Sequence, residues 1–206
     1  MADLGTVVSR VTRITTAWIQ DVNNFIYRSI GSSGGSALVG FIASGVGAVL
    51  RTIQSKLRET ISVADFGAVG DGVADDTTAI QAAITAASVY PVRNVLFPPG
   101  NYRTTATLTM PSDAGRNFSL IGQGNASYGS MLSGVLITGD HTAGPVVRLQ
   151  TSGQRIENIV VTASAARTAG SRGSNFGVLI EPPDTSGATI EGASLRNVTV
   201  ANQPFH

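Results

Sequence analysis

Six carboxylates in the second half of the chain are the side chains that could do chemistry. Two carboxyl groups held at a controlled separation hydrolyse a glycosidic bond, one as acid and the other as base or nucleophile. Three of the six are in turn-like contexts, and two alternate with apolar neighbours as outward-facing strand residues do. We therefore assign no catalytic residue from the sequence. The six are Asp113, Asp140, Glu157, Glu181, Asp184 and Glu191.

A histidine and a glycine-rich segment are the other candidates for a functional site. His141 follows Asp140 and could act as a base with an orienting carboxylate, but adjacent turn residues usually point apart, which favours a polar surface role. Residues 122–125 lack the lysine and the strand-to-helix context of a phosphate loop. The chain has no cysteine, which excludes disulfides and thiolate zinc sites. We expect neither a metal nor a cofactor.

A second acidic group lies in the glycine-rich segment that runs from Ile61 to Ile84. Its glycines allow positive φ and hence tight turns, and its aspartates suit turns and helix capping better than catalysis. Either Asp75 or Asp76 can cap the helix that follows, and Thr78 with Gln81 matches a capping box. The predicted turn and cap residues are Gly67, Gly70, Asp71, Gly72, Asp75 and Asp76.

This segment predicts a short strand, with Val63 and Phe66 as its apolar positions, and then a helix. The helix carries a narrow stripe of small apolar side chains, which would let it lie close over an open sheet end and shield that end from edge pairing. The stripe comprises Ile80, Ala83, Ile84 and Ala87. A turn at 98–103 follows the strand 95–97, and further strands are predicted at 104–110, 118–122, 134–138, 146–149, 156–162, 176–180 and 195–201.

Two internal repeats indicate a β-solenoid. The string Gly-Val-Leu-Ile at 134–137 recurs at 177–180, 43 positions later, and residues 155–161 match 194–200 at an offset of 39. These offsets are near twice a coil of roughly 20 residues. Asn158 and Asn197 occupy equivalent repeat positions, and we interpret them as turn or coil-stacking residues.

Residues 61–84, followed by Leu96-Phe-Pro-Pro-Gly-Asn-Tyr102, closely resemble the leading motif of pectate-lyase-like right-handed β-helices in bacteriophage tailspikes and tail fibres. Residues 47–62 resemble the linker between a virion-binding head and such a β-helix, and residues 13–25 resemble the start of podovirus-like tail proteins. The resemblance covers roughly residues 40–125. It implies a mainly β fold, a right-handed parallel β-helix, preceded by a small α-helical anchor and a neck.

The region before the β-helix divides into an anchor and a neck. Residues 13–30 form an amphipathic pattern whose apolar face suits either packing within its own small domain or docking onto another virion protein; the face comprises Trp18, Val22, Phe25 and Ile26. Neck residues where identical chains would meet are Phe41, Ile42, Val49, Ile53 and Leu57. No heptad is sustained there. The expected domains are 1–36 (anchor with a Gly/Ser hinge), 37–60 (neck) and 61–206 (first coils of the β-helix).

Composition narrows the function classes. Charged residues make up 13% of the chain and the net charge is +1, so no basic stripe predicts nucleic-acid binding. The low charge, with 24 glycines, suits repetitive β-structure that hides surface in an assembly. The apolar stretch 37–50 is shorter than the ~20 residues that span a bilayer, so we expect it in an oligomer interface rather than a membrane.

The resemblance implies a structural virion component. It would attach to other tail proteins (an adaptor, a portal-proximal protein or the tail tube), form a homotrimer, and present a distal module for host surface polysaccharide. Its location would be the virion tail, after synthesis in the host cytoplasm. We expect the receptor-binding part to lie beyond residue 206.

Two other functions remain open from the sequence. One is a polysaccharide depolymerase, a glycoside hydrolase or lyase, using a solenoid carboxylate such as Glu157 or Glu181. The other is a membrane-active role for residues 37–50 during genome delivery.

Overall fold

A computed structural model describes residues 16–32, 34–89, 93–112, 117–124, 134–141, 143–163, 177–181 and 190–202. The chain forms two compact units, Met1–Glu59 and Thr60–His206. Two of the carboxylates considered above, Asp113 and Asp184, lie outside the described residues, as do residues 1–15 of the anchor and the last four residues of the chain.

The N-terminal unit consists of short elements. Helix α1 spans Thr16–Asn24 and continues as a π-helical segment, Phe25–Ile30. A 3₁₀ turn at Gly35–Ala37 follows. Strands β1 (Gly40–Phe41) and β2 (Arg51–Thr52) pair antiparallel. Helix α2 (Ile53–Leu57) begins after Thr52, whose hydroxyl accepts a hydrogen bond from the Ser55 amide at 3.0 Å. The segment predicted as a neck thus contains a hairpin and a single helical turn.

The second unit is a stack of parallel strands with one helix, α3 (Thr77–Val89). Its strands are β3 Ile61–Ser62, β4 Asp71–Asp75, β5 Asn94–Phe97, β6 Gly100–Thr104, β7 Leu108–Thr109, β8 Ser119–Gly122, β9 Val135–Gly139, β10 Val147–Leu149, β11 Arg155–Glu157, β12 Ile159–Ala163, β13 Val178–Ile180, β14 Ser194–Arg196 and β15 Thr199–Asn202. They form three sheets, ordered β14-β11-β8-β5-β3, β15-β12-β9-β6-β4 and β13-β10-β7. The chain visits the sheets in turn, which confirms the predicted right-handed parallel β-helix preceded by a helix.

The core of this unit comes largely from side chains that alternate inward along strands such as β6, β9 and β10. In the first sheet, Val95, Leu120 and Ile156 are stacked in register and have no exposed surface. Ile137 of the second sheet and Leu149 of the third are equally buried. Each such side chain contributes about 1.5–3 kcal/mol by leaving water. Apolar stacking therefore fixes the register of successive coils.

The segment after β3 differs from the prediction. Val63 and Phe66 belong to a 3₁₀ turn, Val63–Phe66, and not to a strand. A capping box that the sequence pattern did not suggest causes this: the Ser62 hydroxyl accepts from the Ala64 amide, and the Ser62 amide donates to the Asp65 carboxylate. The local hydrogen bonds outcompete the extended pairing that alternating residues would otherwise favour.

The strand predicted at 104–110 is also wrong. Strand β6 begins at Gly100, inside the predicted turn, and ends at Thr104, and β7 begins only at Leu108. The alternation continues across the break because Thr104 and Leu108 both point into the core, although they belong to different sheets. The sequence pattern across this corner of the coil therefore resembles the alternation of one continuous strand.

Helix α3 confirms the predicted stripe, since Ile80, Ala83, Ile84 and Ala87 are its buried residues. The predicted capping box is wrong, because Thr78 lies inside the helix and Gln81 has another role. The Gln81 side-chain amide donates to the Thr109 carbonyl and accepts from the Thr109 amide, both at 3.0 Å. This glutamine therefore satisfies backbone hydrogen-bonding groups at the edge of β7, where another strand would otherwise pair.

Of the two internal repeats, one corresponds to equivalent strands of successive coils and the other does not. Ile156 pairs in register with Leu195, so the offset of 39 is one coil and not two. Asn158 and Asn197 both have positive φ, at 55° and 49°, and the Asn197 amide donates to the Asn158 side-chain oxygen at 2.9 Å, which confirms the stacking role. The Gly-Val-Leu-Ile repeat is a coincidence, because β9 and β13 belong to different sheets.

Candidate functional site

The leading turns of the β-helix bring three aspartates together, and Asp76 is the buried one. Its Oδ1 accepts a hydrogen bond from the Val69 amide at 2.7 Å and its Oδ2 accepts one from the Gly70 amide at 3.1 Å. The backbone amide of Asp76 donates to the Arg103 carbonyl in the next coil. Asp76 therefore ties the preceding loop to the coil stack and is not the side chain that caps α3.

Asp75 caps the helix. Its Oδ1 accepts from the amide and the hydroxyl of Thr77, and its Oδ2 accepts from the hydroxyl of Thr105 at 2.6 Å. The Thr105 hydroxyl, and next the Thr77 hydroxyl, lower the pKa of Asp75 to about 2. The carboxylate thus links the start of α3 to the corner after β6.

Replacing Asp75 with asparagine is expected to flatten the loss of stability between about pH 4 and pH 2. A carboxyl whose pKa is lower in the folded state stabilises the fold above its unfolded pKa, and this contribution disappears as the pH falls through the folded value. Urea unfolding of both proteins at several pH values measures the effect. At neutral pH the variant should lose at most about 1 kcal/mol, because asparagine caps helices about as well as aspartate and only the charge of the acceptor for the Thr105 hydroxyl is lost. An unchanged pH profile would contradict this role.

Asp71 and the glycines complete the turns. The Asp71 carboxylate accepts from the amides of Val73 and Ala74, both at 2.8 Å, and these bonds lower its pKa. All three predicted turn glycines have positive φ: 92° at Gly67, 69° at Gly70 and 78° at Gly72. The aspartates thus accept hydrogen bonds from their own chain, which is a structural use of acidic groups.

Tyr102 closes this region from the core side. It is buried, its ring meets Phe97 edge-to-face at a centroid distance of 5.4 Å, and its hydroxyl donates to the Pro98 carbonyl at 2.8 Å. Burial, and secondarily the Asp76 charge, raise the pKa of Tyr102 to about 12. A neutral donor of this kind anchors the turn before β6.

The described solenoid carboxylates are dispersed. Asp140 accepts from Arg103 Nε at 2.9 Å and Nη2 at 2.6 Å, and is therefore engaged in an ion pair. Glu157 ends β11 of the first sheet, Glu181 follows β13 of the third, and Glu191 lies exposed before β14. The fold gives them no shared strand or turn on which an acid and a base would be held together.

His141 contacts its own turn. Its Nδ1 lies 2.9 Å from the Ala143 carbonyl oxygen, while the neighbouring Asp140 is bound to Arg103. Among the residues that the structure describes, no group of three His, Cys, Asp or Glu side chains is placed to hold a metal ion.

The face predicted to be the anchor is largely exposed to solvent in the single chain. Trp18, Phe25 and Ile26 are 55%, 57% and 44% exposed, Val22 is half-buried, and α1 and the π-helical segment contain no buried residue. No described helix is long and apolar enough to cross a bilayer.

The segment predicted as a neck combines apolar side chains with a cluster of charges, Arg51, Lys56, Arg58 and Glu59. Ile42, Val49 and Leu57 are exposed, whereas Phe41 and Ile53 are half-buried. Glu59 forms ion pairs with both Arg51 and Lys56. Hydrogen bonds from Lys56, and then from Arg51, lower the pKa of Glu59 to about 2.

The chain is similar to known proteins of two kinds, phage tail spike proteins and polysaccharide epimerases. The family described as "Rhamnogalacturonase A/epimerase, pectate lyase-like" matches residues 60–181. The tail spike protein of Shigella phage Sf6 is 35% identical over 139 residues, which cover 63% of this chain and 20% of that protein. Mannuronan C5-epimerase AlgE6 of Azotobacter vinelandii is 56% identical over 52 residues, or 25% of this chain and 6% of the epimerase.

A solved structure is similar in fold. The crystal structure of bacteriophage CBA120 tailspike protein 3 aligns with a TM-score of 0.53 and 18% identity, covering 74% of this chain and 24% of the tailspike. This likeness concerns the fold alone. The chain spans about a fifth of the length of the Sf6 protein that it matches.

Proposed function

Because the chain belongs to the pectate-lyase-like rhamnogalacturonase A/epimerase family and is homologous to phage tail spike proteins, we propose that it is a structural component of a bacteriophage tail. Its N-terminal part attaches to another tail protein, an adaptor, a portal-proximal protein or the tail tube. The β-helix presents a distal module that binds host surface polysaccharide. The chain is made in the host cytoplasm and resides in the virion tail.

The exposed apolar face of α1 and of the π-helical segment after it is the observation that carries the attachment proposal. Trp18, Phe25 and Ile26 present aromatic and aliphatic surface to solvent on a helix that packs no residue fully. Large aromatic side chains of this kind supply most of the binding energy when a partner buries them. In this proposal residues 1–36 are the anchor, residues 37–60 the neck and residues 61–206 the first coils.

Replacing both Trp18 and Phe25 with serine is expected to reduce incorporation of the protein into virions at least about tenfold, because two buried aromatic anchors are lost. Quantitative immunoblotting of purified particles measures incorporation. The matched control replaces Gln20 and Asn23, two exposed polar residues of α1 outside this apolar face, with serine. Undiminished incorporation of the folded Trp18/Phe25 variant would overturn the anchor assignment.

The neck is proposed to bring three chains together through Phe41, Ile42, Val49, Ile53 and Leu57. Light scattering on the purified chain tests this, and a mass near three protomers is the expected result. A monomer at all concentrations would remove the trimer while leaving attachment through α1 to be judged by the virion assay.

A depolymerase is the second candidate, favoured by the similarity to enzymes that are named for acting on polysaccharides. It would be a glycoside hydrolase or lyase that uses a solenoid carboxylate such as Glu157 or Glu181. Sugar release from host surface polysaccharide by the full chain distinguishes the two functions, since a purely structural component releases none.

A further inference from the structure

The N-terminal unit carries an excess of positive charge. Residues 1–59 contain six basic and three acidic residues, a net charge of +3, whereas residues 60–206 contain eight basic and ten acidic residues, a net charge of −2. The two units of this nearly neutral chain therefore have opposite charges. An asymmetry of this kind governs association with charged partners rather than the fold.

Among the described residues of this unit, the excess lies around helix α2. Asp21 and Arg28 carry opposite charges, so α1 and the π-helical segment are neutral in sum. After them the sequence has no charged residue before Arg51. Arg51 and Lys56 then share a single carboxylate, that of Glu59, which neutralises only one of the two cations.

Arg58 adds a cation without a carboxylate. Its side chain is exposed and takes part in none of the ion pairs among the described residues. Its backbone amide donates to the Gln54 carbonyl at the end of α2, so the main chain there is held while the guanidinium has no role in the fold. A guanidinium presents its N–H donors in a planar fork that matches a carboxylate. We call Arg51, Lys56, Arg58 and Glu59 the basic cluster; its net charge is +2.

The basic cluster and the exposed apolar face belong to one packed unit. The 3₁₀ turn Gly35–Ala37 contacts both the π-helical segment and α2. Trp18, Phe25 and Ile26 supply apolar surface that a partner can bury, and they carry no charge. A partner that approaches this face therefore also experiences the positive potential of the basic cluster.

An acidic protein surface is the partner that suits this combination. Another copy of the chain brings the same excess, so association of copies multiplies the positive charge and does not neutralise it. Anionic membranes are recognised by clusters of about four to eight Lys or Arg, or by helices with a basic polar face. Helix α1 and the π-helical segment have no lysine, and Asp21 offsets their one arginine. Three cations are also too few for the phosphate contacts that hold nucleic acid.

We propose that the tail protein to which this chain attaches presents acidic side chains beside the site that buries the apolar face, and that the basic cluster steers the chain onto it. This rests on the proposed tail attachment and deepens it by naming the charge of the partner. The same acidic surface repels residues 60–206, so the chain meets the tail with its N-terminal unit first. The basic cluster sets the rate of association, and the apolar face sets the lifetime of the complex.

Binding of the full chain to tail particles assembled without it tests the proposal. The particles are immobilised, and association and dissociation rates are recorded between about 50 and 500 mM NaCl, a range over which exposed charges become largely screened. Arg58→Glu reverses one charge of the basic cluster, and Arg58→Gln removes it, which keeps the test valid if the reversal prevents folding. Arg196→Glu is the matched control, since Arg196 is an exposed arginine on β14 of the β-helix unit.

The association rate of the wild type should fall at least about tenfold over this range of salt. At low salt Arg58→Glu should associate at least about threefold more slowly than the wild type, with Arg58→Gln between them and with dissociation little changed. Arg196→Glu should associate at nearly the wild-type rate. The variant with serine at Trp18 and Phe25 should instead dissociate faster and keep its salt dependence.

An association rate that does not vary with salt, or equal slowing by Arg58→Glu and Arg196→Glu, would overturn the acidic partner and leave tail attachment standing. No binding of the wild type to the particles at any salt concentration would overturn tail attachment itself. Phosphatidylglycerol vesicles separate the lipid alternative. Salt-sensitive binding to these vesicles that Arg58→Glu abolishes, without binding to the particles, would assign the basic cluster to a membrane and overturn the proposal.

Discussion

Replacing Gly122 with alanine is expected to destabilise the β-helix unit by about 3 kcal/mol or more. A Cβ at Gly122 would lie 2.1 Å from the backbone oxygen of Asn158 and 3.0 Å from Cγ1 of Ile159. The Asn158 backbone cannot easily move away, because its amide donates to the Arg196 carbonyl and its side chain stacks on Asn197. A single methyl group would therefore force two coils apart.

Urea unfolding followed by circular dichroism measures this loss. Gly67→Ala is the control, because Gly67 has a φ of 92° but a Cβ there would meet nothing within 4 Å. That variant should lose only about 1–2 kcal/mol, the cost of a left-handed conformation for a non-glycine residue. Equal losses in the two variants would show that backbone conformation, and not the approach of the coils, makes Gly122 necessary.

Replacing Asp76 with asparagine is expected to cost about 2–4 kcal/mol. The carboxylate is buried, and each of its oxygens accepts one backbone amide, from Val69 and from Gly70. An asparagine keeps one acceptor but turns an N–H₂ group towards the other amide, so donors face each other without a partner.

The matched control is Asp71→Asn. Asp71 also accepts two backbone amides, from Val73 and Ala74, but it is exposed, so water can satisfy the amides that the substitution releases. Its loss should stay at or below about 1 kcal/mol. If the two variants unfold at the same urea concentration, burial of Asp76 is not what makes its hydrogen bonds valuable.

The features that could be predicted from the sequence are those that depend on short-range periodicity. The stripe of α3 was recognisable because Ile80, Ala83, Ile84 and Ala87 recur at helical spacing, and the mainly β class follows from short alternating strands. Asn158 and Asn197 were recognisable because the segments around them match. Each of these signals is contained within one element or in the comparison of two similar ones.

What the sequence could not predict depends on contacts between distant segments. Asp76 looks like a helix cap, and only the fold shows that it binds the amides of Val69 and Gly70. Gln81 looks like half of a capping box, and its partner Thr109 lies in another coil. The repeat offset predicts the wrong coil length because loops of unequal length separate strands that are stacked in register, so an offset does not by itself count coils.

The side-chain amide of Gln81 determines the direction in which strands can add to the third sheet. By occupying the edge of β7 it closes one end of the third sheet, so that further pairing proceeds only towards β10 and β13. During synthesis the N-terminal part leaves the ribosome first. Helix α3 and the first coil are therefore present before later coils emerge, and each new coil meets a template on one side only. In a nascent chain, the edge of β7 is therefore not available to pair with strands of neighbouring nascent chains.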